Sequence, residues 1–190
     1  DFFLNKGSHG TNNFSFSRSE KKENSNYLVS FERFQTDGIS QMSHNDEKDG
    51  YRNNSLLGKV ENQLSESIEF EGIIRMRDTY LQYDKVIDTA TATHSEEENG
   101  RHYLASGALI YKKNEKFTNK FSLTNSYTKR SYAAAPESGN TVKDNYYGER
   151  YAFAYTGNYN FNLDNSLVFG VEREDDQIGY NKDLTGIEKE

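Results

Sequence analysis

The residues that could do chemistry are oxygen donors and phenols. The connection 37–52 carries Asp37, Asp46, Glu47 and Asp49, interleaved with Gly38, Gly50 and other polar residues. Alternating oxygen ligands ahead of a glycine suit Ca²⁺, a hard cation that collects carboxylates and carbonyls in a flexible loop. Asp78 and Asp84 lie at the start of the next long connection, close enough across neighbouring strands to complete such a site. The spacing is not an EF-hand, because Lys48 interrupts the acids and Gly50 follows them. A solvated acidic loop is therefore the competing reading, and Glu96-Glu97-Glu98 reads as plain solvation. Four histidines, His9, His44, His94 and His102, fall in loops or at strand mouths, and none stands beside a convincing nucleophile. Without Ser-His or Asp-His geometry or a nucleophile elbow, no enzyme activity is expected. Tyr51, Tyr80, Tyr83 and Tyr132, placed on the long connections, could stack on a large planar or apolar ligand. Each suits an aromatic girdle or loop packing equally well.

The elements that must hold these groups are strands. From 151 to 163 the odd positions read Tyr, Phe, Tyr, Gly, Tyr, Phe, Leu and the even ones Ala, Ala, Thr, Asn, Asn, Asn. A period of two belongs to a β-strand. The run is also long: strands of soluble sheets average about five or six residues, whereas a tilted strand crossing a bilayer needs roughly 9–11. Similar alternation predicts strands near 1–6, 11–20, 26–36, 53–63, 67–80, 102–112, 117–131, 151–163 and from 166. The strand at 67–80 sets Ile68, Phe70, Ile74 and Met76 against Glu69, Glu71, Arg75 and Arg77, which suits a wet lumen better than a dry core. Short connections at 20–25, 64–67, 113–116 and 163–165 alternate with long ones at 37–52, 81–101, 132–147 and from 174. Short turns at one end and long loops at the other mark a transmembrane β-barrel in an outer membrane.

Composition is compatible with that architecture. A mean hydropathy of −0.99 and 28% charged residues leave no apolar run for a membrane helix, but a barrel shows lipid only alternate residues. The 14 Tyr, 12 Phe and single Pro argue against disorder. The absence of cysteine rules out disulfides and thiolate chemistry. A net charge of −7 speaks against a nucleic-acid partner, and the basic pairs Lys21-Lys22 and Lys112-Lys113 fall in apparent turns. A soluble β-protein is the alternative that alternation alone leaves open.

Gly7-Ser8-His9-Gly10-Thr11, the stretch Asn26 to Ser40 with its Thr36-Asp37-Gly38-Ile39-Ser40, and Asp49-Gly50-Tyr51-Arg52-Asn53 together resemble the early barrel region of TonB-dependent receptors, the cobalamin branch above all. The resemblance implies a 22-stranded antiparallel barrel with an N-terminal plug. Residues 1–190 would supply about nine meander strands of one barrel domain, without the plug. It further implies active transport of a large scarce nutrient, such as cobalamin or a ferric siderophore, across a Gram-negative outer membrane. Partners would be outer-membrane lipid and lipopolysaccharide, the plug, and TonB through the missing part of the chain. In the cobalamin branch the loops matching 37–52 and 78–84 bind calcium, which would assign Asp37, Glu47, Asp49 and Asp78 as ligands. The alternatives are a small self-contained outer-membrane barrel with a structural or adhesive role, and a porin-like pore. The chain starts at Asp1 and stops in a polar segment, so a piece of something longer is expected.

Overall fold

A computed structural model describes residues 1–40, 48–84, 95–134 and 141–185. The described residues form nine strands: β1 (Phe2–Lys6), β2 (Asn12–Lys22), β3 (Ser25–Thr36), β4 (Tyr51–Ser65), β5 (Ile68–Asp84), β6 (Ser95–Asn114), β7 (Phe117–Ala134), β8 (Thr141–Asn160) and β9 (Ser166–Thr185). They make one sheet in sequence order, every neighbour antiparallel. No described helix is long and apolar enough to cross a membrane. The expected all-β meander is what the chain forms.

Several boundaries differ from the expectation. β5 runs on to Asp84, β6 begins at Ser95, β8 at Thr141, and β9 reaches Thr185. Much of the stretches 81–101, 132–147 and 174 onward is thus strand, as are Lys21-Lys22 and Lys112-Lys113. The short-turn ends hold two register shifts, at Gln63/Ser65 and Lys112/Asn114.

Pairing fixes the two faces. One row runs Phe16, Phe31, Leu56, Met76, Tyr103, Tyr127, each opposite the next, then turns polar at Glu149 and Gln177. Six residues nearer the short turns, the row starts polar with Ser25 and Asn62 and becomes apolar at Phe70, Leu109, Phe121, Tyr155 and Val171. The apolar residues therefore form a band that crosses the strands obliquely. Its upper margin keeps one register from β2 to β7 and drops at β8 and β9, while its centre moves six residues toward the short turns between Val29 of β3 and Phe169 of β9, an average of about one residue per strand. With ~3.4 Å per residue and ~4.8 Å between strands, that step corresponds to an angle of about 35–40°. On β6 the band is bounded by Tyr103 and Tyr111, about 27 Å apart along the strand at ~3.4 Å per residue. Tyr103 stacks with Tyr127 at 6.1 Å, and at the other margin Phe117 stacks with Phe169 at 6.4 Å. Most of these side chains are open to the surroundings; Leu123 is 66% exposed.

The opposite face is polar and laced with charge. Lys120 of β7 reaches over β6 to Glu71 of β5, Nζ to Oε2 2.7 Å. The bridged residue is Ala108, 7% exposed and the one buried hydrophobic residue among those described. A small side chain there lets charges from next-nearest strands meet. Lys112 pairs with Glu69 at 3.3 Å, and Arg77 Nε donates to Asn53 Oδ1 at 2.9 Å. Arg150 donates to both carboxylate oxygens of Asp176, at 2.6 and 2.7 Å. Glu69, Glu71, Arg75 and Arg77 share this face, as the sequence predicts.

On the long-connection side, β5 to β9 project past the apolar band. β9 continues about 14 residues beyond Val171, whereas β3 continues about five beyond Phe31, a rise of ~48 Å against ~17 Å at ~3.4 Å per residue.

Candidate ligand-facing site

All four tyrosines sit on strands rather than in loops, because the backbone ladders continue where hydropathy alternation stops. Tyr51 opens β4 on the polar face, its ring 6.0 Å from Phe34 and its hydroxyl receiving Arg77 Nη2 at 3.5 Å. Tyr83 and Tyr132 share that face and converge on Glu96 and Glu98, which pair with them across the ladder. Tyr80 stands three residues before Tyr83 and so faces the other way, on the apolar side beyond the band. Its hydroxyl donates to Glu97 Oε1 at 2.7 Å, with the Arg52 guanidinium 5.5 Å over its ring. The four are one cluster of two with Tyr51 nearby, plus an outlier.

Tyr83 and Tyr132 have companions that the alternation did not expose. Tyr132 packs edge-on against Tyr146 at 5.8 Å, and Tyr146 lies 5.0 Å from Tyr180. The guanidinium of Arg130 sits 5.3 Å over Tyr132 and donates twice to Glu98 Oε1, at 2.9 and 2.7 Å. The Tyr180 hydroxyl donates to Asp144 Oδ1 at 2.7 Å. A descending series of phenol rings thus crosses β7, β8 and β9, held in place by carboxylates and one arginine. The signal that could have found it is the period-two series Glu172, Glu174, Asp176, Ile178, Tyr180, which carries β9 on through charged residues.

These tyrosines lie beyond the apolar band, and their environment keeps them protonated. Burial first, then its hydrogen bond to Glu97, pushes the Tyr80 phenol up to about 12. Burial, then the charge of Glu96, does the same for Tyr83, also to about 12. For Tyr180 the hydrogen bond to Asp144 is the main cause of a rise to about 12. Burial raises Tyr132, reinforced by the charge of Glu98. Neutral rings with fixed hydroxyls can stack on a planar ligand while the carboxylates take donors from it. Glu96-Glu97-Glu98, read from sequence as plain solvation, is instead the hub of these contacts.

The proposed calcium ligands are not brought together. Asp37 follows β3 in a junction where its backbone N–H donates to His9 O at 2.9 Å and its carboxylate pairs with Lys48 at 3.7 Å. Asp49 lies across from Gly38, its carbonyl against the glycine Cα. Asp78 sits on β5, not in a loop, on the apolar-face side, 3.6 Å from Arg101 Nε. Glu47 lies outside the described residues, as do His44 and His94. Among the described residues no three of His, Cys, Asp and Glu converge on a metal-sized point. His9 occupies the turn at φ 54°, and His102 lies on the polar face of β6, 3.2 Å from Thr128 Oγ1.

No protein-family model matches the chain, and no curated protein matches it significantly.

Proposed function

We propose that the chain is part of the wall of an outer-membrane β-barrel receptor of the TonB-dependent kind, which takes up a large scarce nutrient such as a cobalamin or a ferric chelate. The observation that carries the membrane part is the oblique apolar band. A cylinder standing in a bilayer needs its lipid-facing girdle perpendicular to its axis, and barrel strands tilt about 35–45° from that axis. The band must then cross the strands at that angle, as the pairing here gives. Its length of ~27 Å along β6, tilted by about 40°, corresponds to roughly 20 Å of membrane thickness, close to the ~25 Å outward band of such barrels. A soluble sheet has no reason to displace its apolar patch progressively along the strands from one edge to the other.

The polar face supports the receptor part. Charges of both signs and amides line it at bilayer depth, and the tyrosine series crowns it on the side of the long connections. Both signs are present there: Glu96, Glu98, Asp144 and Asp176 stand with Arg75, Arg77, Arg130, Arg150 and Lys182. Coupling to TonB rests on the sequence resemblance at 7–53.

Uptake of labelled cyanocobalamin and of ferric siderophores by cells making the full-length protein tests the reading, with and without TonB. Energy-dependent uptake that disappears without TonB is expected, and replacing Tyr132 or Tyr180 by Ala should weaken binding about 2- to 10-fold each while Phe preserves it. TonB-independent passage of many small solutes would instead make the protein a porin-like pore.

A further inference from the structure

Just beyond the aromatic margin, on the apolar side of the sheet, two cations are placed directly opposite one another: Arg101 on β6 and Lys129 on β7. Like charges in directly opposed cross-strand positions destabilise a sheet unless an anion lies between or beside them. Together with Lys143 of β8 they line a cavity of about 370 Å³, whose other polar walls are Asn99, Ser131 and Asn145. The Ser131 hydroxyl donates to Asn145 Oδ1 at 2.7 Å. One acid lines the cavity, Glu97, and its Oε1 already accepts the Tyr80 hydroxyl. Asp78 partly offsets Arg101 from outside the cavity, at 3.6 Å. Among the residues whose side chains are described, no carboxylate lies within ion-pair distance of Lys129, and Lys143 stands opposite Asp183 of β9 in the ladder.

We infer that this cavity binds the phosphate of an anionic outer-leaflet lipid whose acyl chains lie against the band. The inference rests on the reading that the apolar face meets lipid. Position argues for a lipid over free phosphate. Arg101 and Lys129 stand two residues past the stacked pair Tyr103 and Tyr127, about 7 Å along the strands, which is headgroup level. On the other side of that pair the same face sinks into an apolar trough of about 810 Å³, floored by Gly72, Ala105 and Gly107 and walled by Phe70, Leu123 and Phe153. A lipid with its phosphate in the upper cavity lays its chains down β6 over Ala105 and Gly107 into that trough, beside Asn125 of β7. Long cations supply a phosphate site with point charges, and the amides and hydroxyl supply donors.

The full-length protein, extracted in mild detergent and reconstituted with and without a phosphorylated glycolipid, is examined by native mass spectrometry for retained lipid. The wild type should retain the phosphorylated lipid and not its dephosphorylated form. Arg101→Gln, Lys129→Gln and Lys143→Gln should each weaken retention about 5-fold, while Arg101→Lys keeps it and Asp78→Asn keeps or strengthens it. Undiminished retention by the triple variant, or equal retention of dephosphorylated lipid, overturns the proposal. Millimolar inorganic phosphate that binds without lipid and displaces the lipid fully overturns its assignment to a lipid. Quenching of tyrosine fluorescence by brominated acyl chains reports contact of the apolar face with lipid independently of the cavity. No quenching removes the membrane reading and this site with it; quenching together with retention by the triple variant removes this site alone.

Discussion

A lysine at position 123 should be costly only if lipid covers it. Leu123 lies on β7 opposite Gly107 and Phe153, at the centre of the apolar band and 66% exposed in the isolated sheet. Tyr127 marks the near margin four residues away on the same face, about 14 Å along the strand at ~3.4 Å per residue. With strands tilted by about 40°, that is a depth of roughly 10 Å, close to the middle of a ~25 Å apolar band. At that depth a lysine costs about 2–4 kcal/mol, which multiplies the unfolded fraction roughly 30- to 900-fold. Position 177 is the control: Gln177 of β9 shares the face of Leu123 but lies six residues past Val171, beyond the band and opposite Glu149, where the same charge costs about 0–1 kcal/mol. In water an exposed Leu→Lys change on a sheet surface stays within about 0.5 kcal/mol, so both substitutions would then look alike. The assay is denaturant titration of full-length protein folded into vesicles, comparing midpoints for Leu123→Lys and Gln177→Lys. Two equal midpoints would refute the assignment of the band to lipid.

Other consequences are more local. Gly38 has φ 71° and a Cβ there would run into the Asp49 carbonyl oxygen, so Gly38→Ala should destabilise by at least about 1–2 kcal/mol in the same titration; Gly148→Ala, whose Cβ would have nothing closer than 3.9 Å, should be far milder. Ala108→Leu should cost about 1–3 kcal/mol by wedging under the Lys120–Glu71 bridge, whereas Lys120→Met, which breaks only that partly exposed pair, should cost under about 1 kcal/mol. Tyr80, Tyr83 and Tyr180 ionise near 12 in the fold against an ordinary value of 10. Unfolding therefore releases protons in that window, and stability should be constant below about pH 10 and fall toward pH 12, with tyrosinate absorbance rising in a separate late step. Millimolar calcium should slow tryptic cleavage at Lys48 and Arg52; Asp49→Asn should abolish the protection and Asp78→Asn, whose carboxylate faces Arg101, should not. Equal rates with and without calcium would remove the metal from this loop.

Strand order, the apolar face and the alternation of short and long connections were readable because hydropathy alternates wherever one side of the sheet is apolar. The ends of the strands were not, for a physical reason. Past the girdle both faces are polar, so Glu96-Glu97-Glu98 and Lys143-Asp144-Asn145 lose any contrast between odd and even positions while the backbone ladder runs on. The same blindness turned Tyr83 and Tyr132 into loop residues and hid Tyr146 and Tyr180 altogether. Once β5 is known to reach Asp84, the three-residue gap between Tyr80 and Tyr83 is enough to put them on opposite faces. Register was equally out of reach: it depends on bulges beside the turns at Ser65 and Asn114, where no hydrophobic pattern fixes the count. The obliqueness of the band appears only after that register is known.

The tall side of the sheet, β8 and β9, changes what an antibody would meet. Antibodies raised against a free peptide covering 172–182 see both sets of alternate side chains at once, together with an unpaired backbone. The upright strand offers Glu172, Glu174, Asp176 and Tyr180 on one side and Arg173, Asp175 and Gln177 on the other, its backbone hydrogen-bonded to β8. Sera against the linear peptide should recognise the denatured chain and miss the folded one. Recognition of the fold would need a conformational epitope spanning neighbouring strands, such as the cluster of Asp144, Tyr146 and Tyr180.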